Sequence, residues 1–231
     1  MLEMQNMSSY YGNSPVLQGV SFRAGKGEFI AVLGRNGVGK TTLLKTIMGL
    51  TDRVTGRIFL NRLEITKAPT HERSRHSIGY VPQGRAIIPR FTVRENILMG
   101  SFARSDGKRE LPELAFELFP ILREFLDRMG GVLSGGQQQQ LAIARALAAD
   151  PRIILLDEPT EGIQPNIVEQ IERAIVRLHL EHGITIILVE QNVDFARRAA
   201  QRFVMMEKGQ IAAEGVVGEL TDELVHRHMA V

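Results

Sequence analysis

Short runs of consecutive apolar residues punctuate this chain: Phe29-Ile30-Ala31-Val32-Leu33, Ile153-Ile154-Leu155-Leu156 and Ile184-Thr185-Ile186-Ile187-Leu188-Val189. Runs this short and this continuous predict strands buried on both faces, as in a parallel sheet covered by helices. Each lies near a segment of helical character, which makes α/β the expected fold class. Residues 203–206 and 210–214 flank Glu207-Lys208-Gly209 and predict a hairpin close to the end of the chain. Between the first and second runs the period changes. Leu111, Leu114, Ala115, Leu118, Phe119, Leu122, Phe125, Leu126 and Met129 recur at helical spacing, and Pro120 divides that pattern into two shorter helices. The expected organisation is therefore a single domain over residues 1–231. Its core is formed by 1–83 and 150–231, and a helical lobe, 84–149, is inserted into it. No internal repeat is present, and the four glutamines 137–140 run into an apolar helical continuation, so they read as a helix surface.

Composition sets outer bounds. The chain has 231 residues, 44% hydrophobic and 23% charged, enough to bury a core without covalent staples. It has no cysteine, which excludes disulfides and thiolate metal sites. Lys and Arg total 28 against 26 Asp and Glu, and no long basic run accompanies that balance, so no nucleic-acid partner is expected. Met1-Leu2-Glu3-Met4-Gln5 lacks the basic-then-apolar order of a signal peptide, and the apolar runs are too short to span a bilayer. The chain is expected to be soluble by itself and to reach any membrane through partners. His179 with His182, and His226 with His228, read as solvated surface residues, not as a metal cluster.

Gly34-Arg35-Asn36-Gly37-Val38-Gly39-Lys40-Thr41 fits the pattern G-x-x-x-x-G-K-[ST], between an expected strand and an expected helix. Glycines such as Gly34, Gly37 and Gly39 let the backbone curl so that N–H groups face phosphate oxygens, with the helix N-terminus adding positive potential. Lys40 is expected to reach the β- and γ-phosphates and the Thr41 hydroxyl to ligate Mg²⁺; Asn36 and Thr42 belong to the same nucleotide-binding segment. The pattern does not choose among kinases, GTPases and ATPases.

Two further segments carry chemistry. Asp157-Glu158 ends the second apolar run, where ligands of open α/β sheets bind. There Asp157 is expected to hold Mg²⁺ and Glu158 to act as general base on water. Leu133-Ser134-Gly135-Gly136-Gln137 precedes another helical run. A serine and glycine amides at a helix start offer a second anion site or simply an N-cap.

The order of phosphate loop, Leu133-Ser134-Gly135-Gly136-Gln137 and Asp157-Glu158 resembles the ATP-binding-cassette family over essentially the whole chain. That resemblance implies a RecA-like P-loop NTPase core with an antiparallel β portion and a helical subdomain. It also implies an ATPase using ATP and Mg²⁺, and a head-to-tail dimer with a second ATPase subunit. In such a dimer each ATP lies between one phosphate loop and the other subunit's Ser134, Gly135, Gly136 and Gln137. Tyr11 resembles the aromatic that stacks on adenine, and Gln83, in Tyr80-Val81-Pro82-Gln83, the glutamine that touches Mg²⁺ and moves with the helical lobe. The resemblance further implies transmembrane permease partners and a peripheral place on the cytoplasmic face of the inner membrane.

Two departures from the family pattern stand out. Gln191, in Val189-Glu190-Gln191-Asn192, occupies the place of the usual switch histidine, and Gln164 that of an aspartate. Glutamine can hydrogen-bond a γ-phosphate but cannot titrate. The segments around Gln191 and Gln83 resemble importer ATPases for branched-chain amino acids and urea. Residues 157–166 and the glutamine run resemble the urea type more closely. Urea import is therefore the expected function, with branched-chain amino acid import as the alternative. A P-loop small-molecule kinase would account for Lys40, Asp157 and Glu158 but not for residues 133–137.

Overall fold

The computed structural model describes residues 1–229. In chain order its first elements are β1 (Leu2–Tyr11), β2 (Ser14–Ala24), β3 (Phe29–Leu33), α1 (Lys40–Met48), β4 (Arg53–Leu60), β5 (Leu63–Glu64) and α2 (Thr70–Arg75). They are followed by β6 (Ile78–Val81), α3 (Val93–Ser101), α4 (Glu113–Leu118), α5 (Ile121–Glu124), α6 (Gly135–Leu147), β7 (Ile153–Asp157) and α7 (Pro165–Leu180). The chain closes with β8 (Thr185–Val189), α8 (Val193–Ala199), β9 (Arg202–Glu207), β10 (Gln210–Val216) and α9 (Asp222–Met229). Two compact units result, residues 1–73 with those from 185 onward, and residues 74–184.

The first unit holds two groups of strands. β2, β1, β4 and β5 form an antiparallel sheet in that order. β3 lies between β8 and β9, parallel to both, and β10 pairs antiparallel with β9 as the expected hairpin. Every residue of β3 and β8 is buried, as continuous apolarity predicts for strands covered on both faces. β1 is different. Leu2, Met4, Met7 and Ser9 are buried, so its alternation slips by one near Gln5 and Asn6, where the pairing with both neighbours is irregular and Asn6 has φ 46°. Gly56 faces this bulge, and a Cβ there would meet the Gln5 carbonyl oxygen at 2.6 Å.

α1 is closed at both ends by left-handed glycines, Gly39 (φ 108°) and Gly49 (φ 70°). Arg73, 2% exposed, completes its C-terminus: Nη1 donates to the Thr46 and Ile47 carbonyls at 2.9 and 2.8 Å. The same guanidinium donates to Ala68 and Thr66 at 2.8 and 2.7 Å. Burial lowers its pKa, and four backbone carbonyls stand in for a carboxylate partner.

In the second unit β6 and β7 pair in parallel. Pro120 separates α4 from α5 as expected, and residues 84–149 contain α3 to α6. Thr92 and Glu95 form a reciprocal capping box at the start of α3. One expectation is corrected here. His179 is not a surface residue: it is 7% exposed, on the α7 stripe with Ile171, Ala174, Ile175 and Leu178. His182 and His226 are exposed, whereas His228 is half-buried, with Nδ1 3.3 Å from a Glu207 carboxylate oxygen. Among the described residues no helix is long and apolar enough to cross a membrane.

Candidate functional site

In the first unit the phosphate loop leaves the buried end of β3 and enters α1. Its glycines are required by geometry. Gly34 has φ 150°, and a Cβ there would lie 2.6 Å from the Met206 carbonyl oxygen; Gly37 has φ 78° and opens onto unoccupied space. Lys40 is 4% exposed, and its Nζ donates to the Gly34 and Arg35 carbonyls at 2.8 and 3.0 Å. The cation is thereby folded over the loop that the pattern assigns to phosphate. Thr41 is half-buried in the first turn of α1, and Thr42 is buried one residue further.

Gln191 lies two residues past the end of β8, and its Nε2 donates to Asn36 Oδ1 at 2.7 Å, which ties it to the glycine-rich loop. Glu190 beside it is 4% exposed, and one carboxylate oxygen accepts the backbone N–H groups of Gln191 and Asn192 at 3.0 and 3.3 Å. Sequence reading gave Glu190 no role. Asn192 then caps α8 by accepting the Phe195 N–H. Tyr11 stands 37% exposed at the tip of the β1–β2 hairpin.

The second unit gathers Tyr80, Gln83, Asp157, Glu158 and Glu161. Asp157, 1% exposed at the end of β7, accepts the Tyr80 hydroxyl at 3.3 Å. Glu158 follows with φ 46°, an unfavourable backbone for a residue with a Cβ. The residue is 8% exposed. The Gln83 amide donates to Glu161 at 2.9 Å and more weakly to Glu158 at 3.4 Å. That leaves the Gln83 carbonyl oxygen as the end suited to a cation. Thr41, Gln83 and Asp157 each offer oxygen, the donor type that Mg²⁺ prefers. Tyr80 and Glu161 are the contacts that sequence reading missed. Both lay within segments singled out for other residues, and no local signal marks a pairing across 75 residues or more.

Ser134 is the N-cap of α6. Its hydroxyl accepts the Gln137 N–H at 3.4 Å, and the Gln137 carboxamide accepts the Ser134 N–H at 3.0 Å. The N-cap and the anion-site readings are compatible, because a cap of this kind engages one first-turn amide and the others have no intrahelical acceptor. Gly136 is buried, and a Cβ there would lie 3.1 Å from Ile167 Cβ and closer still to its Cγ2, so α7 presses on this turn.

Comparison with known proteins identifies the family. The ABC transporter family model matches residues 17–161. The high-affinity branched-chain amino acid transport ATP-binding protein BraG of Pseudomonas aeruginosa is 41% identical over 91% of each chain. The probable branched-chain amino acid transport ATP-binding protein LivF of Archaeoglobus fulgidus is 36% identical, over 96% of this chain and 94% of its own. Among solved structures, the dimeric post-hydrolysis state of the ATP-binding cassette MJ0796, bound to ADP and phosphate, superposes with a TM-score of 0.80. It is 27% identical and covers 94% of this chain and 99% of its own. A glycine-built phosphate loop, a serine-capped helix led by two glycines and a buried aspartate followed by glutamate thus occur together in a chain that belongs to the ABC transporter family, as an ATP-hydrolysing, ATP-binding subunit.

Proposed function

We propose that this subunit drives solute import through a permease of the branched-chain amino acid and urea branch. The observation that supports the branch most directly is Gln191 in the switch position, together with relatives whose names give branched-chain amino acid transport. The working particle in this reading is a dimer of ATPase subunits seated peripherally on transmembrane permease subunits at the cytoplasmic face of the inner membrane.

Residue roles follow from chemistry. Lys40 neutralises the terminal phosphates, and the amides of Gly34 to Gly39 cradle them. Thr41, Gln83 and Asp157 are the residues that would hold Mg²⁺, which supplies charge neutralisation across the β- and γ-phosphates when bound. Glu158 takes a proton from the attacking water as it adds to the γ-phosphorus and the bond to ADP breaks. Tyr11 offers a flat apolar face to adenine. Ser134, Gly135, Gly136 and Gln137 complete the partner subunit's nucleotide site, and Gln191 senses the γ-phosphate as a hydrogen-bonding group. Residues 84–149 form the lobe that carries the closing motion to the permease.

Solute identity is tested by uptake. Deleting the gene is expected to abolish high-affinity import of labelled leucine if the chain serves branched-chain amino acids, with urea uptake intact. Residues 157–166 favour a second reading, urea, for which the pattern reverses. Normal uptake of both solutes would remove the chain from this branch.

A further inference from the structure

The hairpin that carries Tyr11 is held at its tip by one residue of the α1–β4 connection. The Asp52 N–H donates to the Tyr10 carbonyl at 3.2 Å, and the Asp52 carboxylate accepts the Gly12 N–H at 2.7 Å. These groups belong to the peptide units immediately before and after Tyr11. A single residue therefore brackets the backbone of Tyr11 on both sides, across a separation of 40 positions in the chain.

Arg53 adds a second hold. It pairs with Tyr10 across the β1–β4 ladder, and its guanidinium lies 4.1 Å from the centroid of the Tyr10 ring. Successive side chains of a strand point to opposite faces. With Tyr10 covered by Arg53, Tyr11 is the ring left standing at the tip, 37% exposed. The turn beyond it is only Gly12-Asn13, with Gly12 at φ 56°. Asp52 itself lies three residues after Gly49, so its position is tied through α1 to the phosphate loop.

We propose that Asp52, assisted by Arg53, positions Tyr11 as a purine platform and thereby sets the preference for a nucleotide over bare polyphosphate. This rests on the reading of Tyr11 as the adenine-stacking residue. In this reading Asp52 and Arg53 contact the hairpin and not the nucleotide. They act by removing hairpin motion in advance, so that less ordering is required when the base binds.

Calorimetric titration of the full chain with ATP and with inorganic tripolyphosphate tests this. Asp52→Ala is expected to weaken ATP binding by about 3-fold to 10-fold, the scale of one charge-assisted hydrogen bond at an exposed site, and to leave tripolyphosphate binding unchanged. Asp52→Asn, whose side-chain oxygen still accepts the Gly12 N–H, restores most of the loss. Arg53→Gln moves in the same direction by less, and keeps the test usable should Asp52→Ala fail to fold. Unchanged ATP affinity in Asp52→Ala, or equal losses for ATP and tripolyphosphate, overturns the proposal. Tyr11→Ala separates the two levels. If it leaves the ratio of the two affinities intact, the adenine-stacking reading itself falls. If it collapses that ratio while Asp52→Ala does not, stacking stands and the bracket alone is wrong.

Discussion

Gln191 is hydrogen-bonded to Asn36 through two neutral carboxamides, 2.7 Å from nitrogen to oxygen, with the donor just past β8 and the acceptor in the phosphate loop. A carboxamide keeps its donor and its acceptor at every physiological pH, whereas an imidazole gains a proton near neutrality.

Replacing Gln191 with His is accordingly expected to preserve or raise ATPase activity at pH 7.5. It should also introduce a limb into the pH–rate profile near the ordinary histidine value of about 6.5, absent from the wild type. Steady-state kinetics between pH 5.5 and 8.5 would check both. A severe loss of turnover in a folded variant would assign Gln191 a role that imidazole cannot fill.

Lys40→Ala removes the cation folded onto the Gly34 and Arg35 carbonyls. ATP turnover should vanish while circular dichroism and the melting transition stay close to those of the wild type. Retained turnover would dissociate this loop from phosphate chemistry.

Glu158→Gln keeps a polar side chain of the same shape but no proton acceptor of comparable basicity. Hydrolysis is expected to fall by roughly 10²–10⁴-fold while ATP is still bound, the range for a positioned general base. Single-turnover measurements with prebound ATP give the chemical step directly, and an unchanged rate would place the base elsewhere.

Arg73→Leu removes the guanidinium from four backbone carbonyls, of which Thr46 keeps the Gly49 N–H, in a site only 2% exposed. A loss of about 3 kcal/mol in denaturant unfolding is expected, because buried acceptors left unpaired are costly. Arg73→Lys should recover only part of it, since an ammonium does not reproduce the planar fork.

Glu95 gives a pH signature. Hydrogen bonds from the Thr92 N–H and hydroxyl hold its carboxyl below the ordinary value. A depressed folded-state pKa means that the cap's contribution is complete above the unfolded value of about 4.3 and disappears as pH falls through the folded value. Wild type should exceed Glu95→Gln in stability near pH 7, with the gap closing in acid. Parallel curves at all pH values would show that the carboxylate charge contributes nothing.

Much of this architecture is written locally. β3, β7 and β8 announce themselves because both their faces are buried, and Pro120 divides α4 from α5 where its ring cannot be accommodated. β1 is harder to read. Its buried set passes from Leu2 and Met4 to Met7 and Ser9 through the bulge at Asn6, so no single period runs along it. His179 was legible in principle, since it continues the stripe of Ile171, Ala174, Ile175 and Leu178, but its residue type suggested the surface. The partners of Gln83 and of the Tyr11 hairpin are different again. They arise from contacts 78 and 40 positions apart, which only the folded chain brings together.

Because left-handed glycines close both ends of α1, the helix works as a gauge. Its nine residues span roughly 13 Å at 1.5 Å each, between the glycine-rich loop and the connection that carries Asp52. A single inserted residue would lengthen that gauge by only about 1.5 Å, but it would also rotate everything beyond it by about 100°. Asp52 would then face away from Gly12. The length of α1 is thus constrained at single-residue resolution even at positions whose side chains meet no ligand.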